Sequence, residues 1–156
     1  MDTWEGDPQA GCYGPEILEA LHNYQVQAGS TEFSTLLKTT FDDAAASFAA
    51  GSVDLLHIDG LHTYQAVRHD FETWLPKMST RGVVLFHDTQ VRKGDFGVWQ
   101  LWQEVSSRYP SLEFTHSHGL GVLAIGSELP EPMRQLLGLD GETRERFKSL
   151  LQRLGN

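Results

Sequence analysis

Two acidic residues and two histidines in the middle of the chain have the types and positions that suit a divalent cation. Asp59 ends one apolar run, and the pair His87-Asp88 ends the next one along the chain. Carboxylate oxygens are the ligands that hard divalent cations prefer, and the imidazole of His87 widens the choice toward manganese, iron or zinc. His62 follows Asp59 by three residues and is predicted to be a general base above the same cation, because imidazole titrates near neutral pH.

The histidines and acids also have structural interpretations. An Asp at a strand end before a glycine, as at Asp59, is often a turn residue or a helix N-cap. His57 lies inside an apolar run and is predicted to be a buried core histidine. His116 and His118 flank a predicted hairpin turn, and whether they line a site is left open. A metal hydrolase that uses His57, Asp59 and His62 is a further hypothesis, and it requires His57 to face solvent.

Alternating strand and helix patterns place the two acids at one edge of a predicted sheet. Apolar runs at 53–59 and 82–88 are predicted strands, and residues at helical spacing follow each of them. Leu112 to Thr115 and Gly121 to Ile125 are predicted to form a hairpin. This order favours an α/β fold with a mostly parallel sheet and an antiparallel C-terminal hairpin. Because neighbouring strands lie about 4.8 Å apart, the acids at the two strand ends are predicted to converge.

The N-terminal third of the chain has weaker patterns. Residues 5–15 contain three glycines and two prolines and are predicted to form a loop. A helix is predicted from Pro15 until Gly29 stops it. Phe33 to Leu37 is a weak strand candidate, and Asp42 to Ala50 is predicted to be a short helix. The predicted apolar face of the first helix consists of Ile17, Leu18, Leu21 and Tyr24.

Composition and charge exclude several classes of partner. The chain has 156 residues, with 12 Lys and Arg against 21 Asp and Glu, and its formal net charge is -9. This length fits a single domain over residues 1–156, and so acidic a surface disfavours nucleic acid or an anionic membrane as a partner. The single cysteine, Cys12, cannot form an internal disulfide. No signal peptide or membrane span is expected, and a cytoplasmic location is therefore predicted.

Several segments resemble a known enzyme family. The likeness runs through DLLHIDGLHTY at 54–64, DFETWLP at 70–76 and GVVLFHDT at 82–89, with further matches in DTWEGD at 2–7 and GLGVL at 119–123. These segments are similar to class I S-adenosylmethionine-dependent methyltransferases, in the branch of sugar and macrolide O-methyltransferases. The resemblance implies a Rossmann-like sheet and methyl transfer to a hydroxylated small molecule, such as a sugar or a glycosylated metabolite.

The resemblance also implies residues that bind the cofactor. In similar enzymes the acid that closes the second strand binds the ribose hydroxyls of S-adenosylmethionine, and Asp2 matches that place. Residues after the third strand commonly contact adenine, and Thr40, Phe41 and Asp42 are the candidates in this chain.

The metal site and the base gain support from the same resemblance. Metal-dependent relatives hold a magnesium-like ion with acids that match Asp59 and Asp88, and a histidine placed like His62 is the base in some of them. His87 stands where relatives often have an acid, and it is included in the predicted site. A metal held there would lower the pKa of a substrate hydroxyl, whose proton His62 would remove.

One part of the family pattern is missing from these residues. The first strand and its glycine-rich loop, in which glycine lets the backbone approach the cofactor, are not found, so we expect an N-terminally incomplete domain with weak or no S-adenosylmethionine binding by itself. The run 53–59 is then expected to have an unpaired edge, which is a template for another chain. Three explanations are open: the chain is a piece of a longer protein, the edge pairs with a second copy in a homo-oligomer, or the third strand closes onto the fourth. A non-catalytic domain that acts through protein partners is the alternative function.

Overall fold

The computed structural model describes residues 1–7, 9 and 11–155, and its internal contacts divide the chain into two units, Met1–Phe48 and Ala49–Asn156. Short 3-10 turns lie at Ser30–Glu32 and Leu75–Lys77. The other elements, in chain order, are β1 (Gly6–Asp7), β2 (Gly11–Cys12), α1 (Pro15–Gln27), α2 (Phe41–Ala46), β3 (Val53–Ile58), α3 (Tyr64–Trp74), β4 (Met78–His87), α4 (Val98–Ser106), β5 (Ser111–Phe114), β6 (Leu120–Ala124), α5 (Glu131–Leu137) and α6 (Gly141–Leu154). The single-domain interpretation of residues 1–156 stays a prediction.

The first unit is built around α1, which begins at Pro15 as predicted. Proline suits the first turn of a helix because its missing N–H would have no partner there, and Gly29, with φ of 65°, follows the helix end. The predicted apolar face is not buried, because Ile17, Leu21 and Tyr24 are exposed in the structure. The buried residue of this helix is Gln25, whose side chain donates a hydrogen bond to Ser34 Oγ at 2.6 Å.

Two further N-terminal predictions need correction. No strand forms at 33–37: a 3-10 turn ends at Glu32, and Phe33 is 84% exposed. Phe33 and Thr35 are exposed and the other residues of this stretch are only partly buried, so it has no buried face to set against a sheet. The helix predicted at 42–50 begins at Phe41 and ends at Ala46, because the N–H of Ser47 bonds back to Ala44 and closes the last turn.

The second unit contains a four-stranded sheet in the order β3-β4-β6-β5. The β3–β4 pair is parallel, with Leu56 opposite Val84 and Ile58 opposite Phe86, and the β4–β6 and β5–β6 pairs are antiparallel. The α/β class, the Rossmann-like arrangement and the antiparallel C-terminal hairpin are confirmed. Among the described residues β3 pairs only with β4 and forms an edge of the sheet, where Leu55 is 61% exposed.

Both faces of β4 are covered, which explains its continuous apolar run. On one face, Phe86 is fully buried, and its ring centroid lies 5.5 Å from that of Phe71 in α3 and 5.9 Å from that of Trp102 in α4. On the other face, Val83 belongs to a buried cluster that includes residues of β5 and β6 and packs against Leu151 of α6. In the described part of the chain, no helix has the length and apolar character needed to cross a membrane.

Candidate metal centre

The ends of β3 and β4 and the loop before α3 bring four potential ligands together. Asp59 directly follows β3, His87 is the last residue of β4 and Asp88 comes next. The parallel register aligns the two strand ends, and His62 lies in the short loop that leads into α3. One ligand atom from each of these four residues lies within 4.8 Å of all the others. The structure therefore places the sequence-predicted metal residues and the predicted base at one point.

The four side chains alternate between acid and imidazole. His62 Nε2 lies 2.9 Å from Asp88 Oδ2 and 3.4 Å from Asp59 Oδ1. His87 Nδ1 lies 3.2 Å from Asp59 Oδ1 and 3.2 Å from Asp88 Oδ1. Each imidazole nitrogen therefore approaches both carboxylates. Such a set of two carboxylates and two imidazoles is a donor set for a divalent cation.

The Nδ1 atom of His87 is buried and has no hydrogen-bond partner, although two carboxylate oxygens lie within ion-pair distance of it. A buried polar atom without a partner costs about 1–3 kcal/mol. A cation that accepts the nitrogen lone pair and both acids would give all of these atoms a partner. The unpartnered nitrogen is therefore evidence, in addition to the types of the four residues, that a metal ion fits this site.

The backbone conformation of Asp88 is a second feature that is typical of functional sites. Its φ is 60°, in the left-handed region that non-glycine residues rarely adopt, and the residue is buried. Such conformations cost of order 1–3 kcal/mol and cluster at functional sites. Here the turn aims the carboxylate of Asp88 at His62, immediately after the strand that carries His87.

The ring of His62 is held by a loop that sequence reasoning missed. The Phe96 ring stacks on it with centroids 4.7 Å apart and planes 6° from parallel, and the Gly97 N–H donates to the His62 carbonyl at 2.7 Å. Thr63, next to His62, is the N-cap of α3, and its Oγ1 accepts a hydrogen bond from the Ala66 N–H at 3.2 Å. No local spacing links residues 96 and 97 to residue 62, so the contact is visible only in three dimensions.

The charge state of Asp59 is set by its histidine neighbours. The hydrogen bond from His62 is the largest influence and lowers the pKa of Asp59; burial opposes it, and the charges of His87, His57 and His62 lower the pKa further. The carboxylate therefore keeps its negative charge to a lower pH than an isolated aspartate. An ionised carboxylate is what a metal ligand at neutral pH requires.

His57 is exposed, so its prediction as a core histidine is wrong. Successive strand side chains point to opposite faces of a sheet. The neighbours Leu56 and Ile58 are therefore buried on one face, while His57 points to the other. Its ring lies 6.2 Å from the His87 ring. The exposure of His57 meets the stated requirement of the hydrolase hypothesis. In the part of the chain that the structure describes, however, the converging ligand group contains His87 and Asp88 rather than His57.

The predicted cofactor residues lie in the first unit and adjoin one another. Asp2 does not end a strand; it forms an isolated parallel bridge with Lys38, and its carbonyl accepts a hydrogen bond from the Thr39 N–H at 3.0 Å. Thr40 follows as the N-cap of α2, and Phe41 and Asp42 begin that helix. The structure thus brings Asp2 close to the start of α2, and the roles of these residues in cofactor binding stay predictions.

Comparison with known proteins identifies related sequences and folds. A family described as a methyltransferase domain matches residues 1–89. An uncharacterized protein, y4gI of Sinorhizobium fredii (strain NBRC 101917 / NGR234), is 50% identical over 138 residues, which are 87% of this chain and 15% of that protein. The chain thus spans a small part of that relative.

A solved structure shares the fold. The crystal structure of a Corynebacterium glutamicum protein, a target of the Northeast Structural Genomics Consortium, superposes with a TM-score of 0.59 and 16% sequence identity. The match covers 74% of this chain and 58% of that chain. At this identity the likeness concerns the fold alone, and it agrees with the Rossmann-like arrangement of the second unit.

Proposed function

Since the chain belongs to the methyltransferase domain family, we propose that it methylates a hydroxyl group of a small molecule, such as a sugar or a glycosylated metabolite, in a metal-assisted reaction. The metal dependence and the choice of a hydroxyl as acceptor are inferred from one observation. Ligand atoms of four residues lie within 4.8 Å of one another: Asp59, His62, His87 and Asp88. A cytoplasmic location belongs to the same proposal.

The chain's own residues divide the work. When bound, S-adenosylmethionine supplies a methyl group on a positively charged sulfur, and a divalent ion supplies a positive charge that lowers the pKa of a substrate hydroxyl. Asp59, His87 and Asp88 would hold the ion. His62 would take the proton from the hydroxyl, with its ring oriented beforehand by the Phe96 stack.

The donor set bears on the identity of the metal. Magnesium prefers oxygen ligands, and Asp59 and Asp88 supply two carboxylates. Imidazoles suit manganese, iron or zinc better than magnesium, and the His87 nitrogen lies among the acid oxygens. We propose magnesium or manganese as the working ion, with binding of manganese the tighter of the two.

The proposed cofactor site lies around the start of α2. Asp2 would bind the ribose hydroxyls of S-adenosylmethionine, and Thr40, Phe41 and Asp42 would contact its adenine. The hydrogen bond from the Thr39 N–H to the Asp2 carbonyl supports the assignment of these residues to one site. Thermal-shift titration with S-adenosylmethionine, with and without metal, measures the affinity, because a ligand that binds only the folded state raises Tm. We expect a small shift for this chain alone, and low-micromolar binding would contradict that expectation.

Replacing His62 by alanine tests the division of roles. Loss of a general base lowers turnover by roughly 10²–10⁴-fold, so we expect the rate of methyl transfer to fall by that factor. Affinity for manganese and S-adenosylmethionine should stay close to that of the unaltered protein. An equal loss of metal affinity would show that His62 is a ligand, and unchanged turnover would contradict any chemical role for it.

A second candidate function rests on the edge of the sheet. An edge strand offers unpaired backbone groups to another chain, and β3 carries the exposed Leu55 there. A domain that acts through protein partners, or through a second copy, would use this edge. Light scattering of the unaltered chain and of Leu55→Lys tests whether this edge pairs with a second copy. A dimer of the unaltered chain that the substitution dissociates supports such pairing. A monomeric state of both proteins contradicts it.

A further inference from the structure

A groove of about 700 Å³ opens beside the metal centre, within the second unit. Its walls are mostly apolar and include Leu85 and Leu120 of the sheet and Leu151 and Leu154 of α6. Four imidazoles also line it, two of them in the loop between β5 and β6. Among the described residues that line the groove, none is an acid, a lysine or an arginine.

His87 belongs to both the groove and the metal centre. Its Nδ1 faces the carboxylates of Asp59 and Asp88, while the residue forms part of the groove wall. His118 also lines the groove, and its Nδ1 lies 3.9 Å from Asp88 Oδ1. A molecule in the groove can therefore contact His87 and His118, whose Nδ1 atoms lie 3.2 Å and 3.9 Å from Asp88 Oδ1. Gly155, at the end of α6, also lines the groove, and a Cβ atom at this residue would lie 3.1 Å from His116 Nε2.

The walls indicate the chemistry of the occupant. Sites of roughly 300–1,000 Å³ are typical for small organic molecules. A bare sugar carries hydroxyls on all sides, and hydroxyls buried against leucines without partners cost free energy. A molecule with an apolar body buries that body on the leucines and keeps few groups in need of a partner. The polar side chains that the groove offers are its four imidazoles and the hydroxyl of Ser117.

We propose that this groove binds the methyl acceptor, an alcohol or phenol with an apolar body whose hydroxyl lies at His87, the groove residue that contacts Asp59 and Asp88. The inference rests on the proposed function and narrows its substrate class. A glycosylated metabolite fits it when the apolar part of the molecule, rather than the sugar alone, occupies the groove.

Binding of 2-naphthol to the chain in the presence of a chelator tests the groove without metal or cofactor. Leu154 lines the groove and is 74% exposed, and Leu150, 47% exposed on the same helix, does not line it. We expect Leu154→Glu to weaken binding of 2-naphthol, followed by its fluorescence, by roughly tenfold. The control Leu150→Glu should change it less than twofold, and methyl glucoside should not displace the probe.

Three results would overturn the inference: no binding of 2-naphthol at millimolar concentration, equal effects of the two substitutions, or displacement by methyl glucoside. A second measurement locates the hydroxyl. With manganese added, nuclear relaxation of bound 2-naphthol should be fastest for protons next to the hydroxyl, and fastest relaxation in the distant ring would also overturn the inference. If manganese does not bind at all, the proposed function fails while the groove result stands, so the two failures are distinguishable.

Discussion

Replacing Gly97 by alanine should release the ring of His62 from its stack on Phe96. A methyl group at residue 97 would lie 2.4 Å from the backbone nitrogen of Tyr64 and 2.7 Å from its Cα, well inside contact distance. These atoms and the Tyr64 Cβ, at 2.5 Å, are fixed by the backbone and cannot rotate aside. The two segments must therefore separate by roughly 1 Å in a close-packed region. Overpacking of this kind costs about 1–3 kcal/mol, which for a chain of this length lowers Tm by roughly 2–12 °C.

The loss of the stack is measurable by NMR without any ligand. In the folded chain the Phe96 ring, 4.7 Å from the His62 ring, should shift the His62 ring protons upfield, and Gly97→Ala should remove most of that shift. Gly121→Ala is the matched control, because its methyl group would meet the Trp102 ring at 2.6 Å in the core. The control should lower Tm and leave the His62 protons unchanged. A Gly97→Ala protein with unaltered His62 shifts would refute the reasoning.

Three smaller changes test the elements around the site. Phe86→Ala removes a fully buried ring and should lower the free energy of unfolding, measured in urea, by about 3–5 kcal/mol. Thr63→Ala removes the N-cap of α3 and should cost about 1 kcal/mol in the same assay. The lowered pKa of Asp59 means that its ionised form contributes stability above the ordinary value of 3.8, and this contribution is lost as the pH falls through the lowered pKa. Asp59→Asn should therefore show a flatter fall of Tm between pH 5 and pH 2 than the unaltered protein. Parallel curves for the two proteins would contradict the prediction.

The positions of the two strand ends could be predicted from the sequence because they depend on short-range patterns. Apolar runs that end in Asp59 and in His87-Asp88 define two strands, and parallel strands end at the same edge of a sheet. The convergence of the four side chains follows from those two facts. The methyltransferase family was likewise recognisable from contiguous segments.

The errors arose where the outcome depends on what covers a surface. His57 has apolar neighbours, but alternation along β3 turns it to a face where it is exposed. The apolar side of α1 is also exposed, and the buried position in that helix is Gln25. Periodicity marks which residues share a face and does not tell which face is covered. The Phe96–His62 stack joins residues distant in sequence, and no local pattern encodes it.

Calorimetric titration of the chain with manganese tests the central claim, that the ends of β3 and β4 form one metal site. We predict a single bound ion, and Asp88→Asn should weaken its binding by more than the roughly 10–100-fold that loss of an outer-shell partner costs. Asp54→Asn, which removes the same charge from an exposed position on β3, should leave the affinity unchanged. Equal affinities for the unaltered chain and Asp88→Asn, or no binding to either, would contradict the account.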